Sequence, residues 1–235
     1  MSRGTDLDRF YDCLVDLQQV VDGMRDLRDC TGYMDWPERG VYFFFAPDES
    51  RDDGQPRLTR IGTHAVSSGS GTTLWDRLRA HRGINSGSFA NGGNHRGSVF
   101  RKRVGEAICE RDGLSEVYPE WGVGSSAERE TRLKETGLER RVTEYVGSLP
   151  FLWLAVDDEP GPESDRAYIE RNALALVSNY RSEPIDMRRG DWLGTYSPVP
   201  EIRRSGLWNI DHVDETYDPA FLDTVERYVT EMATS

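Results

Sequence analysis

The chain has 235 residues, 37% of them hydrophobic and 30% charged, with a net charge of −12. That length can bury a real core, and the surviving apolar runs exclude a disordered chain. The net charge argues against wrapping nucleic acid over the whole surface.

Apolar positions Phe10, Cys13, Leu14, Leu17, Val20, Val21 and Met24 recur at three and four, so residues 6–30 are expected to form an amphipathic helix capped at Thr5 or Asp6. A connector follows from Thr31 to Arg39. Gly40–Ala46 (GVYFFFA) is an aromatic and β-branched run, expected as a strand buried on both faces. After a polar turn, Arg57–Ala65 is expected to pair with it as a hairpin. Beyond a Ser/Gly linker, Thr72 or Thr73 caps a helix running to about Arg82. Residues 83–98 lack periodicity and form a long loop. Helices are expected over 99–111 and 126–146, and a buried strand over 149–156. Ser164 caps a helix to about Val177. A stretch rich in Pro and Gly carries Trp192 and Trp208, and a last helix spans 219–232. The order predicts an α+β fold with a small mixed or antiparallel three-stranded sheet flanked by helices.

No run approaches the roughly 20 apolar residues of a membrane span, and no signal-like pattern opens the chain. The chain is therefore expected to be soluble and cytoplasmic, with no membrane partner. Cys13, Cys30 and Cys109 form no CxxC pair, so neither a disulfide framework nor a zinc site is supported. From Arg82 to Arg103 there are five cations (Arg82, Arg96, Arg101, Lys102, Arg103) plus His95, and no acid. In an acidic chain that window is a candidate phosphate-facing surface; the plainer alternative is a loop whose arginines pair with distant acids.

Several short signals follow one another in a particular order. Gly40-Val41-Tyr42 opens the first strand and Arg60-Ile61-Gly62 lies in the second. Arg77 and His81 sit one turn apart on the next helix, and Glu170 and Asn179 lie in YIERNALALVSNY after the third strand. In this the chain resembles the GIY-YIG nuclease superfamily over roughly residues 40–180, with an insertion at about 83–148. It departs from that pattern at Arg60, where the family has a tyrosine. The expected organisation is an N-terminal helical extension over 1–35, a nuclease domain over 36–182 and a C-terminal extension over 183–235.

The resemblance implies a DNA endonuclease that uses Mg²⁺ or Mn²⁺. It assigns Tyr42 as general base, Arg77 and His81 to the phosphate with Arg60 assisting, and Glu170 to the metal. Of the expected substrate-side residues, Gly40, Gly62 and Asn179 come with the resemblance, His64 directly follows the second motif, and His95, Arg96 and Arg101 lie in the acid-free window. Chemistry alone supports part of this set. Glu170, Ala173, Leu174 and Val177 share one helical stripe, which puts a carboxylate on an apolar face. Such a group is costly unless it is ion-paired or binds a metal. Arg77 and His81 share a face, although a solvated basic face would look the same. His64 either lines the site or is a satisfied structural histidine. Asn209 and His212 read as packing and turn residues. Two other functions stay open: a nucleic-acid-binding module that has lost cleavage, and an acidic interaction subunit that docks through its Trp-rich C-terminal stretch. Homodimer formation is left open as well.

Overall fold

The computed structural model describes residues 2–234. Helix α1 spans Arg3–Val20, with Ser2 as its N-cap. It is shorter than its periodicity suggests, because Asp22 and Gly23 both take positive φ (58° and 97°) and turn the chain. The remainder of that pattern becomes a two-residue strand, β1 (Arg25–Asp26), and a 3₁₀ turn. Strand β2 spans Gly40–Ser50 and β3 spans Pro56–Gly62. Helix α2 (Leu74–Arg82) starts on a capping box in which the Thr73 and Asp76 side chains each satisfy the other's backbone N–H. Then come α3 (Val99–Asp112), α4 (Arg129–Gly147), β4 (Pro150–Ala155) and α5 (Asp165–Val177). A short α6 (Pro200–Ser205), which no sequence signal foretold, and α7 (Phe221–Ala233) complete the chain.

The α+β class holds, with one strand more than expected: the sheet is antiparallel throughout, in the order β1-β4-β2-β3. The aromatic run of β2 lies between two neighbours and loads both faces. Tyr42 and Phe44 share one face with Gly62 and Arg60 of β3, their paired residues. Phe44 packs there on Phe100 of α3 with ring centroids 5.7 Å apart. Phe43 faces the other way, onto Phe10 of α1, which in turn packs on Phe221 of α7. The free edge of β3 is covered by the C-terminal stretch. The Trp208 N–H donates to the Thr59 carbonyl, and the Asn209 amide pairs with both the N–H and the C=O of Ile61. This shields an edge that would otherwise invite pairing with another chain.

Candidate active site

Two glycines let β2 and β3 carry the site. A methyl group at Gly40 would lie 2.5 Å from the Leu154 carbonyl oxygen, and one at Gly62 would lie 2.3 Å from the Tyr42 hydroxyl. The space a side chain would fill at position 62 is therefore the space the Tyr42 ring occupies. Tyr42 is fully buried. Its hydroxyl oxygen is 2.9 Å from Nε2 of His81, which is fully buried on α2. One turn earlier, the half-buried Arg77 is near enough that the Tyr42 hydroxyl is the strongest influence holding up its guanidinium charge, with Glu170 adding to it.

His81 Nδ1 lies 2.7 Å from Ser98 Oγ, and that same oxygen accepts the Arg101 N–H that caps α3. The buried Ser98 hydroxyl has His81 Nδ1 as its sole acceptor among the described residues. Nδ1 therefore accepts, and Nε2–H donates to the Tyr42 oxygen. Burial, with Arg77, Arg60 and Arg101 nearby, holds the His81 pKa well below its ordinary value, so the ring is neutral.

Glu170 of α5 reaches the end of β3, where its Oε1 accepts the Thr63 N–H at 3.2 Å. Thr63 is itself fixed by donating its hydroxyl to the Gly40 carbonyl at 2.8 Å. Among the described residues Oε2 has no hydrogen bond and Glu170 forms no ion pair. Burial pushes its pKa up, against the pull of Arg60, His212, the Thr63 N–H and Arg77. A single unpaired carboxylate with one oxygen free fits a cation such as Mg²⁺, which keeps most of its waters and needs one or two protein carboxylates. Arg60 donates to the Trp208 carbonyl at 2.9 Å and lies over the Phe100 ring at 4.6 Å. Among the described residues, the buried Nε atoms of both Arg60 and Arg77 lack a hydrogen-bond partner. Two such orphaned donors beside one carboxylate suit an anionic ligand with a counter-cation.

Other sequence-derived candidates are placed differently. His81 touches Tyr42 rather than a surface that a phosphate can reach. His64 accepts the Gly40 N–H on Nε2 (3.3 Å) and donates from Nδ1 to the Thr72 carbonyl (2.8 Å), which is a structural clamp. Within the acid-free window, His95, Arg96 and Arg101 turn inward, each pairing with a distant acid. Arg101 is fully buried, capping α2 through the His81 carbonyl and pairing with Glu139, which also accepts from His95. Arg96 forms a bidentate pair with Glu135 and its side chain is only 2% exposed. These three side chains are satisfied by acids in α4, so they face no phosphate. Asn179 braces its own loop against Arg3, Ile185 and Asp186. Among the described residues no group of three or more His, Cys, Asp or Glu could hold a metal. The cleft lined by Glu49, Arg111, Tyr145, Arg189 and Trp192 contains none of the site residues.

Ser98 was not legible as the partner of His81, since it carries only an N-cap signal.

The antiparallel sheet sets Gly40-Val41-Tyr42 on β2 beside Arg60-Ile61-Gly62 on β3, with Arg77 on α2 and Glu170 on α5. The family model described as a GIY-YIG domain matches residues 1–235, and the chain belongs to that family, which is generally one of endonucleases that depend on divalent metal. The match runs through both terminal segments as well as the central one. No curated protein and no solved structure matches the chain. No described helix is long and apolar enough to cross a membrane, and a homodimer finds no support in these comparisons.

Proposed function

We propose that the chain is a metal-dependent endonuclease that hydrolyses phosphodiester bonds of DNA, with Tyr42, Arg77 and Glu170 as its catalytic residues. The observation that carries this reading is the convergence of the three: a tyrosine oxygen fixed by a neutral histidine, an arginine with an orphaned donor and a carboxylate with a free oxygen. Glu170 would hold the Mg²⁺ or Mn²⁺ ion, which supplies positive charge for the phosphate and the leaving oxygen.

The chain's own groups account for the rest. A phosphate draws the Arg77 guanidinium onto itself, where it offsets the charge developing on the phosphoryl oxygens. That movement takes Arg77 away from the buried Tyr42 hydroxyl and opens it to a water molecule. His81 Nε2–H keeps one lone pair of the Tyr42 oxygen occupied and so aims the other. The Tyr42 oxygen, as general base, takes a proton from the water as the water oxygen bonds to phosphorus. The bond to the 3′-oxygen breaks as that oxygen takes a proton from solvent water, leaving a 3′-hydroxyl and a 5′-phosphate, and Tyr42 returns its proton to solvent. Arg60, with its unpartnered Nε, supports Glu170 by charge, which gives the residue that replaces the family tyrosine a part in the site.

The test is cleavage of end-labelled single-stranded, duplex and branched DNA with Mg²⁺ or Mn²⁺, at low and molar salt, followed by mapping of the ends. This reading expects 5′-phosphate products and loss of cutting in Tyr42→Phe and Arg77→Ala. Binding without cutting on every substrate would instead make the chain a binding module whose chemistry Arg60 has displaced.

A further inference from the structure

The inward-turned part of the acid-free window fixes the loop that follows α2. Arg101 Nη1 binds the His81 carbonyl at the end of that helix, and its Nη2 binds the Thr143 hydroxyl, which donates in turn to the Gly92 carbonyl. The same Gly92 carbonyl accepts the Ile84 N–H at 2.8 Å, and the Asn91 N–H donates to the Ile84 carbonyl at 2.8 Å. Buried charge therefore holds one side of the loop in a single shape, and the other side faces outward.

That outer side, with the flank of α2, lines a cleft of about 520 Å³. Arg79 and Arg82 stand on its helix side, and Asn85, Ser86 and Asn94 on its loop side. The Arg79 side chain is 60% exposed. Among the described residues Arg82 forms no ion pair; it donates to the Cys30 carbonyl, and its Nε has no partner. Asn94 uses its amide oxygen to accept the Arg96 N–H, which leaves its amide nitrogen free. The Asn85 and Ser86 side chains form no hydrogen bond among the described residues. Asp76 is the one acid among the lining residues, and both its oxygens are taken, one by Thr73 and one by Arg79. In a chain of net charge −12, this cleft thus offers two guanidinium groups and several neutral donors with no free carboxylate. A run of phosphate oxygens needs that set, with cations for the charge and neutral donors for the remaining lone pairs.

The cleft lies on the helix that carries Arg77. Arg82 is five residues further on, or about 7.5 Å along the helix axis. We propose that the cleft holds the phosphate backbone of the DNA strand about two or three nucleotides from the scissile phosphate, given one charge per roughly 3.4 Å of each strand. Arg79 and Arg82 supply the cations, and Asn85, Ser86 and Asn94 the neutral donors. The proposal rests on the nuclease reading for its ligand and concerns binding rather than the reaction. Phosphate contacts of this kind set the register of the DNA without reading its sequence.

The test is fluorescence anisotropy of the full chain with labelled duplex and single-stranded DNA of two unrelated sequences. Chelator prevents cutting, and salt runs from about 50 to 200 mM. Wild type is compared with Arg79→Ala, Arg82→Ala and Ser86→Glu, and with Arg181→Ala, whose exposed side chain pairs with Asp214, as the control. Each of the first two should make the slope of log K against log salt shallower by about 1, equally on both sequences, and the control should not. Ser86→Glu disturbs no side-chain bond and should weaken binding by about threefold or more at the lower salt. Thermal melts show which variants are folded; if Arg82→Ala, which loses its bond to Cys30, is not, the other two decide. Wild-type slope and affinity in the folded variants would refute the cleft and leave the nuclease reading standing. A loss confined to one sequence would overturn the backbone assignment in favour of base contacts. Absence of DNA binding by the wild type at every salt would remove the substrate on which both readings rest.

Discussion

His64 offers a quantitative check on how the strands that carry the site are held. Its ring is clamped between the Gly40 N–H and the Thr72 carbonyl, and burial, with Arg166, Arg77 and Arg39 nearby, pushes its pKa down to about 4 from an ordinary 6.5. In the unfolded chain the ring takes up a proton near pH 6.5, whereas in the folded protein it does so only near pH 4. The unfolded state binds more protons in between, so the His64 contribution to stability is intact above pH 6.5 and is lost as pH falls toward 4. Integrating between those two values, the loss on going from pH 7 to pH 5 is about 2 kcal/mol. Urea unfolding of the wild type and of His64→Asn at both pH values isolates this part, because the other titrating groups are common to both. The wild type should lose about 2 kcal/mol more than the variant over that interval. Equal losses would mean that His64 is not held neutral, and that the clamp between β2 and the loop before α2 is not formed as described.

Replacing Ser98 with Ala removes the proton donor on His81 Nδ1. Cleavage rate should drop, though by less than the roughly 10²–10⁴-fold of a proton-transfer group itself, whereas Ser98→Thr, which keeps the hydroxyl, should retain the rate. Steady-state kinetics beside a thermal melt separates this from loss of the α3 cap, worth about 1 kcal/mol. Glu139→Gln leaves the fully buried Arg101 with an uncompensated charge, so stability should fall by about 3–5 kcal/mol in a denaturant titration; a loss below about 1 kcal/mol would contradict the inward-facing pairing. Gly62→Ala puts a methyl group 2.3 Å from the Tyr42 hydroxyl and should lower both the melting temperature and the cleavage rate. Gly97→Ala, with nothing within 4 Å of the new atom, serves as the neutral control.

The elements that position the site were legible because local chemistry alone specifies them. The aromatic density of GVYFFFA marks a strand buried on both faces, and Thr73 with Asp76 marks a helix start. The apolar stripe through Glu170 singles that carboxylate out, since a charge there needs a partner. Partnership at a distance was not legible. The window from Arg82 to Arg103 shows five cations without acids, yet the acids that neutralise Arg96 and Arg101 lie on α4, 39 and 38 residues away. Periodicity likewise carried the first helix too far, because it does not register the positive φ at Asp22 that ends it. His81 shares a helix face with Arg77, from which a role at the phosphate is expected. Only the depth of Tyr42 beneath Arg77 shows that the histidine serves the tyrosine oxygen instead.

The central claim, that Glu170 and Tyr42 make this fold a metal-dependent nuclease, is tested most directly by cleavage of supercoiled plasmid. Wild type, Glu170→Gln, Tyr42→Phe and Asn179→Ala would be compared with Mn²⁺ and with chelator. Cutting is expected from the wild type and from Asn179→Ala, abolished by chelator and by each of the other two substitutions. Cutting by Glu170→Gln at the wild-type rate would contradict it.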